Sequence, residues 1–163
     1  MGEFLEIAEG GKDEKYSLLL KQVKALAVHE TDKIAFLGNV TSMIHFTFGF
    51  LWTGFYKVCG SVLVLWPFQG PMACSRINYG KGVCGTAWKE GRTVIVDDVN
   101  EFPGHIACSS DSKSEIVVPV VVDGRIEAVL DIDSEKLSTF DETDAIWLNK
   151  INNIVAKFLS HSH

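Results

Sequence analysis

The stretch EIVVPVVVDGRIEAVLDID, Glu115 to Asp133, holds two apolar runs joined by Asp123-Gly124. Asp-Gly between alternating hydrophobic residues is a strong signal for a tight β-hairpin, and the valines and isoleucines on either side suit a pleated surface. The spacing predicts two antiparallel strands. A period of two puts Glu127, Val129, Asp131 and Asp133 on one face of the second strand. Ala128, Leu130 and Ile132 take the other, the face expected to meet helices. Asp131 and Asp133 are then neighbours on a sheet surface, where like charges repel unless a cation or a proton intervenes. Such a pair either points into water or floors a pocket for a cationic ligand. Glu115, opening the first strand, means little by itself.

Upstream, WTGFYKVCGSVLVLW (52–66) predicts a second hairpin around Cys59-Gly60-Ser61. Phe55 reads as core, while Trp52 and Tyr56 share the opposite face, where an aromatic wall can enclose a small apolar group. MACSRINYGKGVCGTAWKEGRTVIVDD (72–98) predicts a strand, a glycine-rich turn, a short helix over 83–89 and another strand. VNEFPGHIACSSDSKS (99–114) reads as a long loop, a length that in compact domains usually marks function or disorder.

Helices are expected at both ends. Tyr16, Leu19, Leu20, Val23, Leu26 and Ala27 recur at helical spacing. A second helix starts at a cap on Thr31 or Asp32 and ends near Gly49. A closing helix, capped near Thr139 or Asp141, carries a stripe of Ile146, Trp147, Ile151, Ile154, Val155 and Phe158. Residues 1–14 are polar with Gly10-Gly11 and are expected to be a flexible segment before one domain over 15–163. The pattern predicts an α+β domain, a mostly antiparallel sheet covered by helices.

At 163 residues the chain fits one domain, and its net charge of −6, with lysine and arginine scattered, argues against a nucleic-acid partner. No apolar run reaches the eighteen or so residues of a membrane span, and the start lacks the pattern of a secretory signal. A cytoplasmic, reducing location is the expectation, and there four cysteines are read as free, catalytic or metal-bound rather than as a disulfide framework.

Cys59 falls in a predicted turn, Cys74 in a strand, Cys84 at a helix start and Cys108 in the long loop. No C-x-x-C occurs, and His105 with Cys108 supplies at most two zinc ligands, so zinc would also need Cys74 or Cys84. Cys59 reads best as a buried small residue. Cys108 does not, because Pro103, Gly104, Ser109, Ser110 and Asp111 are not core-like. Cys84, between Gly82 and Gly85, is placed where a helix dipole lowers a thiol pKa. A reactive thiol beside others able to resolve it is the minimum for reversible sulfur redox chemistry.

Together, WTGFY (52–56), PFQGPMACSRINYGKGVCGTAW (67–88), VDDVNEFPGHIACSSDSKSEIVVPV (96–120) and GRIEAVLDIDSEKLSTFDETD (124–144) resemble the free methionine-(R)-sulfoxide reductases, small enzymes built on a GAF domain. The resemblance runs from about Asp32 through the closing helix. It implies a six-stranded antiparallel sheet with packed helices and a pocket closed by the long loop. It also implies Cys108 as the attacking nucleophile, Cys74 as its resolving partner and Cys84 as an auxiliary thiol. Glu115, Asp131 and Asp133 would hold the substrate and assist oxygen protonation, with Trp52 and Tyr56 against the methylthio end. No metal or organic cofactor is implied; thioredoxin or a similar dithiol would recycle the enzyme, and a homodimer is common in such domains. Leu51 and Trp66 depart from the family pattern, and Cys59 lies outside it. The rival readings are a non-catalytic GAF sensor binding a small ligand and a structural zinc protein.

Overall fold

Asp123 and Gly124 both adopt positive φ, 51° and 80°, as a two-residue hairpin turn requires. They join β5 (Ser114–Val122) to β6 (Arg125–Ser134) in an antiparallel pair. The computed structural model of the protein describes residues 4–105 and 111–161. The 52–66 stretch forms the second hairpin, β1 (Trp52–Cys59) and β2 (Val62–Gln69), and β3 (Arg76–Asn78) and β4 (Val94–Val96) are short edge strands. All six belong to one antiparallel sheet in the order β3-β2-β1-β6-β5-β4. The expected α+β, GAF-like architecture is thus the observed one.

Four helices surround the sheet: α1 (Lys12–His29), α2 (Lys33–Phe48), α3 (Gly82–Glu90) and α4 (Glu142–His161). Asp32 caps α2 by accepting from the Ala35 N–H at 2.9 Å, and Gly49 ends it in the left-handed conformation. Asp141 accepts from the N–H of Thr143 at 3.0 Å, at the start of α4.

The sheet separates two cores. On one face Phe55, Ile116, Val118, Leu130 and Ile132 pack against α1, α2 and α4. On the other, Tyr56, Leu63, Val117 and Val129 pack with Val83, Cys84 and Ala87 of α3. The alternation read along β6 therefore holds: Ala128, Leu130 and Ile132 face the helical layer, and Val129 belongs to the second core.

Two helix expectations need correction. Of the expected α4 stripe only Ile146 is exposed; Ile151 and Val155 are buried, and Trp147, Ile154 and Phe158 pack against the same core. The buried face also takes in Asp144, Ala145, Leu148 and Asn152, rather than position 146. The helix instead places small Ala145 and polar Asn152 inside, where Asn152 Nδ2 donates to the carbonyls of Val118 and Pro119 at 3.0 and 3.1 Å. Residues 12–14 lie within α1 rather than in a frayed segment, since Lys12 Nζ pairs with buried Asp144 at 2.5 Å and Glu14 accepts from the Gly11 N–H. The Tyr16 hydroxyl donates to the other oxygen of Asp144, so one carboxylate ties α1 to α4. Among the described residues no helix is long and apolar enough to cross a membrane.

Candidate active site

The pairing register assembles the site. Trp52 on β1 lies opposite Asp133 on β6, and Asp133 lies opposite Glu115 on β5. In the adjacent row Gly54 faces Asp131, which faces Val117. All these positions share the sheet face covered by α3. The absence of a side chain at Gly54 gives the Trp52 indole its seat: a Cβ there would lie 2.5 Å from the ring and 2.4 Å from Phe68 Cβ. Trp52 stacks between Phe68 and Tyr56, with centroids at 5.2 and 5.8 Å, and its Nε1 donates to the Pro71 carbonyl at 3.0 Å.

A cleft of about 540 Å³, counting the part open to solvent, is lined by Trp52, Tyr56, Cys84, Glu115, Asp131 and Asp133. Six of the eight residues expected at a site therefore meet in one cleft. The Tyr56 hydroxyl is already committed, donating to the Cys74 carbonyl at 3.0 Å, which holds the segment before β3 against the cleft. Cys74 lies in that connecting segment and not in a strand, and it is disulfide-bonded, while Cys59 and Cys84 are free. Cys108 lies outside the described residues.

Burial dominates the electrostatics. Glu115 and Asp131 are each 6% exposed, Asp133 half-buried. Desolvation, followed by the charges of Asp131 and Asp133, pushes the Glu115 carboxyl well above its ordinary range. Asp133 is raised in the same way, against the help of Ser112 Oγ, which donates to its Oδ1 at 3.2 Å. Asp131 is raised less, because Glu115, Cys84 and Asp133 offer it hydrogen bonds and His105 lends a favourable charge. Asp131 Oδ1 is nonetheless buried with no hydrogen-bond partner among the described residues.

Cys84 corrects a sequence expectation. It is the third residue of α3, but it is 4% exposed and faces Asp131 and Glu115. Burial, then those carboxylates, push its thiol well above the ordinary value, opposite to the shift expected from the helix dipole. Cys84 Sγ, a Glu115 oxygen and an Asp131 oxygen lie within 4.8 Å of one another, a set able to hold a metal ion. Cys59, expected to be buried, is exposed where β1 ends at the hairpin turn. Neither Leu51 nor Trp66 lines the cleft; Trp66 packs on the helical face, with Lys57 Nζ 5.3 Å from its ring centroid.

Sequence reasoning missed His105 and Ser112 as cleft residues. Both lie within the 99–114 loop, where no periodicity assigns a side chain to a face.

A GAF domain family model matches residues 35–160. The free methionine-R-sulfoxide reductase of Saccharomyces cerevisiae is 41% identical over 155 residues, covering 90% of this chain and 86% of the relative. This chain belongs to the free methionine-R-sulfoxide reductase family of GAF domains. GAF domain-containing protein A of Dictyostelium discoideum is 55% identical over 152 residues, covering 93% of this chain and 96% of that one. Among solved structures, the free methionine-R-sulfoxide reductase of Neisseria meningitidis in complex with its substrate is 47% identical. It superposes with a TM-score of 0.95 and covers 98% of this chain and 96% of its own. Family membership carries the six-stranded sheet and the helical layer; the cleft described above lies on the other face of that sheet.

Proposed function

We propose that the protein reduces free L-methionine (R)-S-oxide to L-methionine, using Cys108 as the nucleophile. What carries the reading is the meeting of Glu115, Asp131 and Asp133 with the Trp52–Tyr56 wall in one cleft, within a family of that activity. A free amino acid differs from a protein residue by its ammonium and its carboxylate. Buried, mutually repelling carboxylates are relieved by an ammonium, and Asp131 and Asp133 are the residues to take it. The indole of Trp52 takes the methylthio end.

Removal of the oxygen consumes two electrons and two protons. The Cys108 thiolate attacks the sulfoxide sulfur while an acid protonates the oxygen, since oxide is a very poor leaving group. Glu115, its carboxyl pushed well above the ordinary range by burial and by its acidic neighbours, suits that role. Methionine leaves and Cys108 becomes a sulfenic acid. Cys74 condenses with it, releasing water and forming a disulfide, and a dithiol of the thioredoxin class reopens it by exchange. Cys84 serves as an auxiliary thiol. A reducing cytoplasm supplies such a reductant, and a homodimer is the assembly we assign.

Racemic free methionine sulfoxide incubated with the protein and dithiothreitol, with the diastereomers resolved, tests the reading. Consumption of the R form alone, abolished by Cys108→Ser, is expected. Survival of both forms with folded protein would favour a ligand-sensing GAF module instead.

A further inference from the structure

We propose that the cleft also binds one thiophilic divalent cation of the zinc class, with Cys84, Glu115 and Asp131 as its protein ligands. Their ligand atoms already lie within 4.8 Å of one another on two adjacent strands and the first turn of α3. Tetrahedral zinc, with bonds of about 2.0–2.3 Å, needs only a modest closure of such a trio. A second observation, on one oxygen of Asp131, points the same way. Asp131 Oδ1, on a residue 94% buried that lines the cleft, lacks any hydrogen-bond partner among the described residues. An acceptor left bare at that depth is costly unless something positive meets it.

The donor set selects the class of ion. One thiolate with two carboxylates suits zinc or cadmium, whereas magnesium and calcium require a fuller shell of oxygens. Three protein ligands leave the fourth position open to water or to His105, which lines the same cleft. Binding displaces the proton of Cys84 to solvent, with any carried by the two carboxylates. The cation then occupies the place assigned above to the substrate ammonium, so the two exclude each other. This consequence, unlike the site itself, rests on the proposed function.

The experiment uses full-length Cys59→Ser protein with the Cys74 disulfide left intact, which removes the exposed thiol as a competing ligand. Cadmium is titrated while thiolate-to-metal charge-transfer absorption is followed, and zinc affinity is read by competition with a chromophoric chelator. One equivalent with a charge-transfer band is expected, unaffected by excess magnesium. Cys84→Ser and Cys84→Ala should each lose the band and weaken zinc by at least about tenfold. Absence of the band before Cys84 is altered overturns the site and needs no variant to fold. Unchanged zinc affinity in folded Cys84 variants overturns it too. Free methionine sulfoxide should raise the apparent zinc dissociation constant. If it fails to displace a Cys84-dependent cation, the cation site stands and the substrate reading of the cleft falls.

Discussion

Glu115 and Asp133 face each other across β5 and β6, and burial plus mutual repulsion raise both carboxyls. Unfolded, each titrates near its ordinary value of about 4; folded, each keeps its proton to higher pH. Above that value the native state holds more protons than the unfolded chain, so these groups make stability fall as pH rises towards their folded pKa values. Asp133→Asn should therefore raise Tm at pH 7 by about 2–4 °C for each kcal/mol relieved, and should do so much less at pH 4. A thermal melt at the two pH values checks this, and the same variant should lose activity. Glu115→Gln keeps the shape but not the acid, and kcat/KM should fall about 100-fold or more, the usual worth of a positioned proton donor. Full activity in a folded Glu115→Gln protein would remove Glu115 from the chemistry.

In β1, Gly54 matters by what it leaves out. A methyl group there would meet both the Trp52 ring and Phe68, in a strand with no freedom to move away from β6. Gly54→Ala should cost about 1–3 kcal/mol from overpacking, and by tilting the indole into the cleft it should raise KM more than it lowers kcat. Denaturant melts and steady-state kinetics separate the two effects. Between α1 and α4, Lys12→Met removes the positive partner of buried Asp144 and should lower stability by about 1–3 kcal/mol with little effect on kcat. Elements of this kind differ in how plainly the chain announces them. The β5–β6 hairpin and the facing of Asp131 were legible because a period of two and an Asp-Gly turn have one geometric solution. The α4 stripe was legible except at Ile146, and Ala145 and Asn152 were missed because they carry no strong hydropathy and their burial is decided by a sheet distant in sequence. Cys84 was misread because the dipole of α3 is local, whereas the carboxylates and the burial that outweigh it come from β5 and β6. The third strand's neighbour Cys74 is held by a Tyr56 bond that no local pattern encodes.

Across the molecule, labour is divided by the sheet. The helical face holds the larger core, built from α1, α2, α4 and the apolar positions of β5 and β6. The opposite face holds the cleft carboxylates Glu115, Asp131 and Asp133 beside α3. Placing charge on that side lowers the stability of the whole, against the apolar burial of the helical core on the other face. In the proposed function the carboxylates gain in return a grip on an ammonium, which a methionine sulfoxide residue inside a peptide does not carry. Comparing kcat/KM for free L-methionine (R)-S-oxide with that for its N-acetyl derivative tests this directly, because acetylation removes the charge and leaves the sulfoxide intact. Loss of an ion pair in a desolvated site is worth about 2–5 kcal/mol, so the acetylated compound should be at least about 30-fold poorer. Equal turnover of the two compounds would contradict the assignment of Asp131 and Asp133 as the ammonium's partners and, with it, the account of why this cleft is acidic.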